Sequence, residues 1–428
     1  MPLDSVATAS ATPALAERYA ETRAHTAAIV APLSPEDQVV QAMHDASPAK
    51  WHLAHTTWFF EELVLKQHLE DYRGFDERFA YCFNSYYESL GARHPRIRRG
   101  VLTRPTSDEV AAYRAHVDEA MHRFFERGLS REAAALVEIG IHHEQQHQEL
   151  MLTDILVLFA ANPLRPAYMT GIWDGDGDAA SVASRQRLEA QWQDYSGGIF
   201  SIGHYGEGFA YDNEGPRHDV LLRDFKLATH PVTNREWLDF IGDGGYSNPA
   251  HWLADGWTTV QREGWAAPGY WEERDGQWQQ MTLYGMQPVD PDRPVSHVSL
   301  FEADAFARWA DARLPNEFEW EVAARAQPFS TATFSFDLLI PPRTVSCNPD
   351  LMFGGVWQWT QSAYLPYPGY RPMPGPLGEY NGKFMSGQMV LRGSSCVTPP
   401  RHTRPTYRNF FYPHQRWQMT GLRLARDI

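Results

Sequence analysis

Cysteine is scarce in this sequence of 428 residues. The three that occur, Cys82, Cys347 and Cys396, lie far apart and show no C-x-x-C spacing, which excludes a disulfide framework and a cysteine-ligated zinc site. Runs of Lys or Arg are also missing, and the formal net charge is −15. Nucleic acid and anionic membrane surfaces are therefore not expected as partners.

Long apolar stretches are lacking as well. No segment approaches the roughly 18 uninterrupted apolar residues that a transmembrane helix requires. The N-terminus carries acidic residues where a signal peptide has an apolar core. Together with the scarcity of cysteine, these absences predict a protein of the reducing cytoplasm without a membrane partner.

The sequence that is present changes character along its length. Because the chain is longer than one hydrophobic core usually supports, we expect two domains. Residues 1–165 are predicted to form a helical bundle, with one helix over roughly 49–67. Capping signals mark further helix starts at Ser34, at Thr106–Glu109 and at Ser130.

The rest of the chain shows a different pattern. Residues 197–428 contain short strands and many Gly and Pro turns, with helices predicted at 233–242 and 301–312. This mixture predicts an irregular α+β domain. Residues 166–196, which include a run of alternating Asp and Gly at 174–178, are predicted to be a linker.

The stretch Ile-His-His-Glu-Gln-Gln-His-Gln-Glu at 141–149 is typical of a metal site. On a helix, His143 and His147 project from the same face, so their imidazoles can bind one transition metal. Burying three His, three Gln and two Glu on an otherwise apolar helix is costly without such a purpose. A third ligand is expected from a facing helix of the bundle. His52 and His55 are both candidates, because positions i and i+3 share one side of a helix.

The same stretch contains the H-E-x-x-H signature of zinc metalloproteases. In that interpretation Glu144 is the general base of a zinc hydrolase. Leu150 stands where the longer metzincin pattern has a glycine, and no helical Glu follows at the right distance. The zinc hydrolase therefore stays an alternative that the flanking sequence does not favour.

With these residues in place, the chain resembles the ergothioneine-type sulfoxide synthases. These nonheme iron enzymes join a DinB-like four-helix bundle to a formylglycine-generating-enzyme-like domain of the C-type-lectin-like fold. The resemblance covers nearly the whole chain. It is carried by the residues at 47–61, 84–87, 143–151, 229–234, 313–317, 356–360, 407–411 and 421–427.

The resemblance implies a set of site residues. The iron ligands fall on His143 and His147 within an H-x3-H-x-E pattern, and on His55 instead of His52. The other residues serve proton delivery and substrate binding. They are Tyr86 or Tyr87 as proton donor, Gln146 for the substrate imidazole, Arg96 for the donor carboxylate, Asn409 for the hercynine carboxylate, and Phe410 and Phe411 for its trimethylammonium group.

The implied cofactor is Fe(II), with O2 as co-substrate, and the implied partners are small molecules. The expected reaction couples cysteine or γ-glutamylcysteine oxidatively to the imidazole carbon of hercynine, giving a sulfoxide in ergothioneine biosynthesis. The residues at 386–388 and 394–396 depart from the cysteine-using synthases, so a selenoneine synthase joining a selenosugar to hercynine remains an alternative. A non-catalytic metal-binding bundle with a recognition domain is another. The copper chemistry of formylglycine-generating enzymes is not expected, because Cys396 lacks a suitable cysteine partner.

Overall fold

The structure, a computed structural model, describes residues 4–170, 191–327 and 352–428. The chain divides into two compact units. The first comprises Met1–Leu164 with Pro374–Tyr380, and the second comprises Arg165–Met373 with Asn381–Ile428. Most of the predicted linker, residues 171–190, lies outside the described residues.

Helices make up the first unit. They are α1 Asp4–Val30, α2 Ala49–Phe59, α3 Lys66–His68, α4 Phe79–Phe83, α5 Ser107–Arg127 and α6 Arg131–Ala161. Short 3-10 turns lie at Asp37–Val39, Glu88–Leu90, Arg96–Val101 and Gly375–Glu379. α1 packs on α6, and α2 packs on both α5 and α6, which is the predicted four-helix bundle.

Capping explains where α5 and α6 begin. Thr106 and Glu109 form the predicted capping box, in which each side chain accepts the other residue's amide hydrogen. Ser130 Oγ caps α6 in the same way. At Ser34 the structure differs from the prediction. The Ser34 amide and hydroxyl donate hydrogen bonds to the Asp37 carboxylate. A 3-10 turn of three residues follows, and the backbone is extended at Val40, so no α-helix forms there.

A close approach of α2 and α6 brings the predicted ligands together. α2 continues through a π-helical stretch, Phe60–Leu65, into α3. A Cβ atom on Gly140 of α6 would lie 2.5 Å from Cε1 of Phe60, so the two helices can meet there only at a glycine. His55 lies just before this contact on α2, and His143 lies one turn after Gly140 on α6.

The second unit combines short strands with short helices. The strands are β1 Trp192–Tyr195, β2 Gly198–Ile202, β3 His218–Leu222, β4 Phe225–Ala228, β5 Trp271–Arg274, β6 Gln277–Thr282, β7 Gly285–Pro288, β8 Trp357–Ala363, β9 Met389–Arg392, β10 Asn409–Phe411, β11 Thr420–Leu422 and β12 Ala425–Asp427. They form sheets in the orders β1-β4-β12, β2-β3, β5-β6-β7 and β10-β9-β8-β11. In the last sheet β8 and β11 are parallel and the other pairs are antiparallel.

The helices of this unit are α7 Asn234–Gly242, α8 Ala254–Glu263, α9 Leu300–Trp309 and α10 Glu317–Arg325. The sequence predicts α7 and α9. It does not predict α8 and α10, although Asn316 and Glu319 form a capping box at the start of α10. The described residues thus form the predicted α+β architecture. None of their helices is long and apolar enough to cross a membrane.

A buried ionic network fixes β9 and β10 in the second unit. Arg408 donates from Nε and Nη2 to the two carboxylate oxygens of Glu317 at 2.8 and 2.9 Å. Arg392 Nη2 donates to the same carboxylate at 2.9 Å. Because fully buried charges must be paired to be tolerated, these contacts hold α10 and the strands ending at Arg392 and beginning at Asn409 in one arrangement.

Candidate metal centre

Three buried histidines of the bundle converge on one point. His55 comes from α2, and His143 and His147 come from successive turns of α6. One ring nitrogen of each lies within 4.8 Å of those of the other two. The residues are 0%, 2% and 9% exposed. Three imidazoles at this spacing can surround a single transition-metal ion.

Hydrogen bonding shows which His55 nitrogen is available. His55 Nδ1 lies 2.6 Å from the Phe83 carbonyl oxygen. Because a carbonyl only accepts, Nδ1 carries the proton and Nε2 keeps the lone pair. Nε2 is buried and has no hydrogen-bond partner among the described residues, and the same holds for both ring nitrogens of His143. Buried polar atoms rarely stay unpaired, so the chemistry of these atoms fits a bound metal.

The protonation state of the three rings supports the same use. Burial lowers the pKa of His143 to about 3. Burial also lowers the pKa values of His55 and His147 well below their usual value. The rings are therefore neutral near pH 7, and a neutral imidazole is the form that donates a lone pair to a metal.

His52, the other candidate for the third ligand, makes different contacts. Its Nδ1 lies 2.7 Å from His147 Nδ1, and its Nε2 lies 3.1 Å from Asp154 Oδ2. Both ring nitrogens of His52 are therefore engaged by protein groups. The His55 ring stacks on Trp51, with ring centroids 4.6 Å apart, and its Nε2 remains available for a metal.

Glu144 lies between the two α6 histidines but is held by other helices. Its carboxylate accepts hydrogen bonds from Arg23 Nη1 of α1 at 3.0 Å and from Arg114 Nη2 of α5 at 3.1 Å. The side chain is fully buried. Burial alone would raise its pKa, but the two guanidinium groups lower the pKa of Glu144 to about 2. A carboxylate so strongly stabilised in its charged form is a poor general base, which argues against the zinc hydrolase.

Two neighbouring tyrosines pack near His55 through the ring of Trp58. Tyr86 and Tyr87 stack on each other with ring centroids 4.8 Å apart. Asn84 holds their turn, accepting the Tyr87 amide at 3.0 Å and donating to the Tyr87 carbonyl at 2.9 Å. Tyr87 packs on Trp58, 5.5 Å away, and Trp58 also stacks on the His55 ring at 5.6 Å.

The sequence did not indicate a third phenol, that of Tyr380. Its ring centroid lies 5.7 Å from that of His143 and 6.0 Å from that of Tyr86, and its hydroxyl donates to Gln146 Oε1. The neighbouring Glu379 carboxylate accepts the backbone amides of residues 88 and 89, each at 3.0 Å. The segment Pro374–Tyr380 thus belongs to the helical unit although it is distant in sequence. In the sequence, the Tyr380 phenol and the Glu379 carboxylate are the only signs that this segment could contribute to the site.

Two arginines near the site differ in their surroundings. Arg96, predicted to bind a carboxylate, is exposed and donates to the Asp45 carbonyl. Arg99 is 4% exposed and lies 3.3 Å above the Trp51 ring. It donates to the Ser47 and Ser85 hydroxyls at 2.9 and 3.1 Å, and its Nε has no partner among the described residues. The described hydrogen bonds of Arg99 are thus to neutral groups, and a buried guanidinium in such surroundings is suited to binding an anion.

The predicted substrate residues of the C-terminal segment lie in the second unit. Asn409, Phe410 and Phe411 form β10 and are partly buried. Phe410 stacks on Tyr364 with ring centroids 4.0 Å apart, and Phe411 lies 6.1 Å from Trp417. Their role in substrate binding stays a prediction.

Comparisons with known proteins show which families the chain is similar to. Residues 183–338 and 350–428 match the family described as the sulfatase-modifying factor enzyme 1-like domain. A hercynine oxygenase of Mycolicibacterium smegmatis is 32% identical over 89% of this chain and 91% of its own length. A hercynine oxygenase of Mycobacterium tuberculosis is 37% identical over 67% of this chain and 70% of its own length. A formylglycine-generating enzyme of Streptomyces coelicolor is 32% identical over only 38% of this chain.

Proposed function

Because the chain belongs to the hercynine oxygenase family of ergothioneine-type sulfoxide synthases, we propose that it couples a chalcogen donor to hercynine with Fe(II) and O2. It is accordingly an oxidoreductase. The observation that carries the proposal is the group of three neutral, buried imidazoles of His55, His143 and His147. Three neutral ligands leave a metal its full charge and several open positions.

The proposed reaction balances with one O2. The imidazole C–H and the thiol S–H are lost, a C–S bond and an S–O bond form, and the second oxygen atom leaves as water. Bound Fe(II) would supply the coordination positions and the redox chemistry for this four-electron oxidation. The protein has to deliver protons, orient both substrates and keep the site shielded.

Proton delivery is assigned to the phenols of Tyr86, Tyr87 and Tyr380. A positioned phenol can donate a proton while oxygen is reduced. Tyr380 is supported by its hydrogen bond to Gln146 and by its closeness to His143. Gln146 is assigned to the substrate imidazole, because its carbonyl accepts from Tyr380 while its NH2 group suits a ring nitrogen.

Substrate binding is assigned to two groups of residues. A donor carboxylate is matched by the buried guanidinium of Arg99, with Arg96 as a second basic group nearby in sequence. Hercynine has a trimethylammonium group, which cannot donate a hydrogen bond and is recognised by aromatic faces. Phe410 and Phe411 are proposed to provide these faces, and Asn409 to bind the hercynine carboxylate.

A selenium donor is the second candidate. Its support is the segment at 394–396, which departs from the cysteine-using synthases. Ser394 there is buried and has a φ of 60°, a conformation that usually favours glycine. A selenoneine synthase would form a C–Se bond between a selenosugar and hercynine at the same site.

The test is a panel of donors with hercynine, Fe(II) and air, read by mass spectrometry together with O2 uptake. Cysteine, γ-glutamylcysteine and a selenosugar give products of different mass. His55→Ala is the inactive control, because it removes a proposed ligand. Absence of hercynine-dependent O2 uptake with every donor would overturn the proposal and leave a non-catalytic metal-binding protein.

A further inference from the structure

We propose that His52 and Asp154 are positioning residues that hold His147 in the tautomer that binds metal through Nε2. The inference rests on the proposed metal site, because it concerns how one of the three ligands is prepared. Neither residue belongs to the group of three converging histidines.

The contacts form a continuous chain inside the bundle. Asp154 lies two turns after His147 on α6, and His52 lies on α2. Asp154 Oδ2 accepts the Ser47 amide at 2.8 Å and lies 3.1 Å from His52 Nε2. His52 Nδ1 lies 2.7 Å from His147 Nδ1. His52, Asp154 and His147 are 2%, 8% and 9% exposed, so water does not screen the chain.

The positions of the protons follow from what each atom can do. An ionised carboxylate only accepts, so the proton of His52 lies on Nε2 and is donated to Asp154. A neutral His52 then has a lone pair on Nδ1, and this atom can only accept. The short contact between the two Nδ1 atoms therefore requires the proton on His147. With Nδ1 of His147 protonated, its lone pair lies on Nε2, which is the atom that remains for a metal.

This arrangement does more than fix a ring orientation. A ligand imidazole that donates its other N–H to an anionic acceptor becomes more basic, and removal of such partners typically weakens metal binding by roughly 10–100-fold. Here the anion acts through a second imidazole. The Ser47 amide, at the start of α2, holds the carboxylate in place. His55 has its own acceptor, the Phe83 carbonyl. The hydrogen bonds from Asp154 through His52 therefore fix the tautomer of His147 alone among the three histidines.

The experiment measures Fe(II) affinity anaerobically by competition with a chelator, and thermal unfolding of the metal-free protein. Asp154→Asn keeps an oxygen that accepts from Ser47 and His52 but removes the charge, and we expect about 10-fold weaker binding. His52→Ala should weaken binding by roughly 10–100-fold. The double variant should bind no more weakly than His52→Ala alone, because both residues act through one chain.

The matched control is Glu61→Gln. Glu61 is a buried carboxylate of the same bundle, 1% exposed, and accepts hydrogen bonds from Tyr72 and Tyr113, each at 2.6 Å. No described contact links it to the three histidines, so it should lower the unfolding temperature without changing Fe(II) affinity.

The outcomes separate this inference from the proposed function. A wild-type protein that binds no Fe(II) overturns the metal site itself. If the wild type binds Fe(II) and both Asp154→Asn and His52→Ala bind it equally tightly, the positioning role is overturned but the metal site is not. Equal weakening in Glu61→Gln would also overturn it, because the effect would then report general loosening of the bundle.

Discussion

Substitution of Glu144 by Gln separates a structural role from that of a general base. Glu144 is fully buried, and both of its oxygens accept from arginine, at 3.0 and 3.1 Å. The substitution removes the negative charge that pairs with both Arg23 and Arg114. Breaking a buried ion pair from one side costs about 3–5 kcal/mol. At roughly 2–4 °C per kcal/mol for a unit of this size, the bundle should unfold about 10 °C lower.

The assay compares two Glu→Gln variants of the same helix. Glu138 pairs with Arg18 at 2.9 Å, but its side chain is 35% exposed, so Glu138→Gln should cost less than about 1 kcal/mol. Thermal unfolding of the metal-free proteins gives the stability difference. Below the unfolding temperature, Glu144→Gln should retain Fe(II) binding and most of the hercynine-dependent O2 uptake. A Glu144→Gln protein as stable as the wild type but without activity would refute the structural role and favour a general base.

Three further outcomes are expected. Tyr380→Phe should lower the turnover number about 10–1,000-fold with little change in Fe(II) affinity. The reason is that it removes a proposed proton donor and the hydrogen bond to Gln146. An unchanged turnover number would contradict this role. Arg99→Met should raise the KM for the donor at least 10-fold in steady-state assays, and more than Arg96→Met does; a larger effect at Arg96 would reverse the assignment. Buried guanidinium groups hold the pKa of Glu317 below its usual value of 4.5 although burial raises it. Its contribution to stability should therefore be present above pH 4.5 and be lost at lower pH, as measured by acid unfolding of the wild type and of Glu317→Gln.

The sequence predicts much of the helical unit because its signals are local. The capping box at Thr106 and Glu109, and the cap at Ser130, involve residues three apart along the chain. The pairing of His143 with His147 follows from the helical repeat in the same way. Such signals are readable without knowledge of the rest of the chain.

The choice between His52 and His55 is not local. Both residues lie on one side of α2, and the difference between them comes from the groups that meet their rings. His55 meets the Phe83 carbonyl, whereas His52 meets His147 and Asp154. These partners come from other parts of the chain and are set by how α2 and α6 pack. Tyr380 is a more extreme case, since it reaches Gln146 from 234 residues away.

The H-E-x-x-H pattern shows why a short motif does not determine its own chemistry. Two histidines four apart can bind a metal on any helix, and a glutamate between them can serve as a base only if its carboxylate is available. In this bundle α1 and α5 supply Arg23 and Arg114, which occupy that carboxylate. α2 supplies His55 as the proposed third ligand, whereas the zinc hydrolase pattern takes its third ligand from a residue after the second histidine. These side chains from α1, α2 and α5 therefore make the pattern better suited to a three-histidine metal site than to zinc hydrolysis.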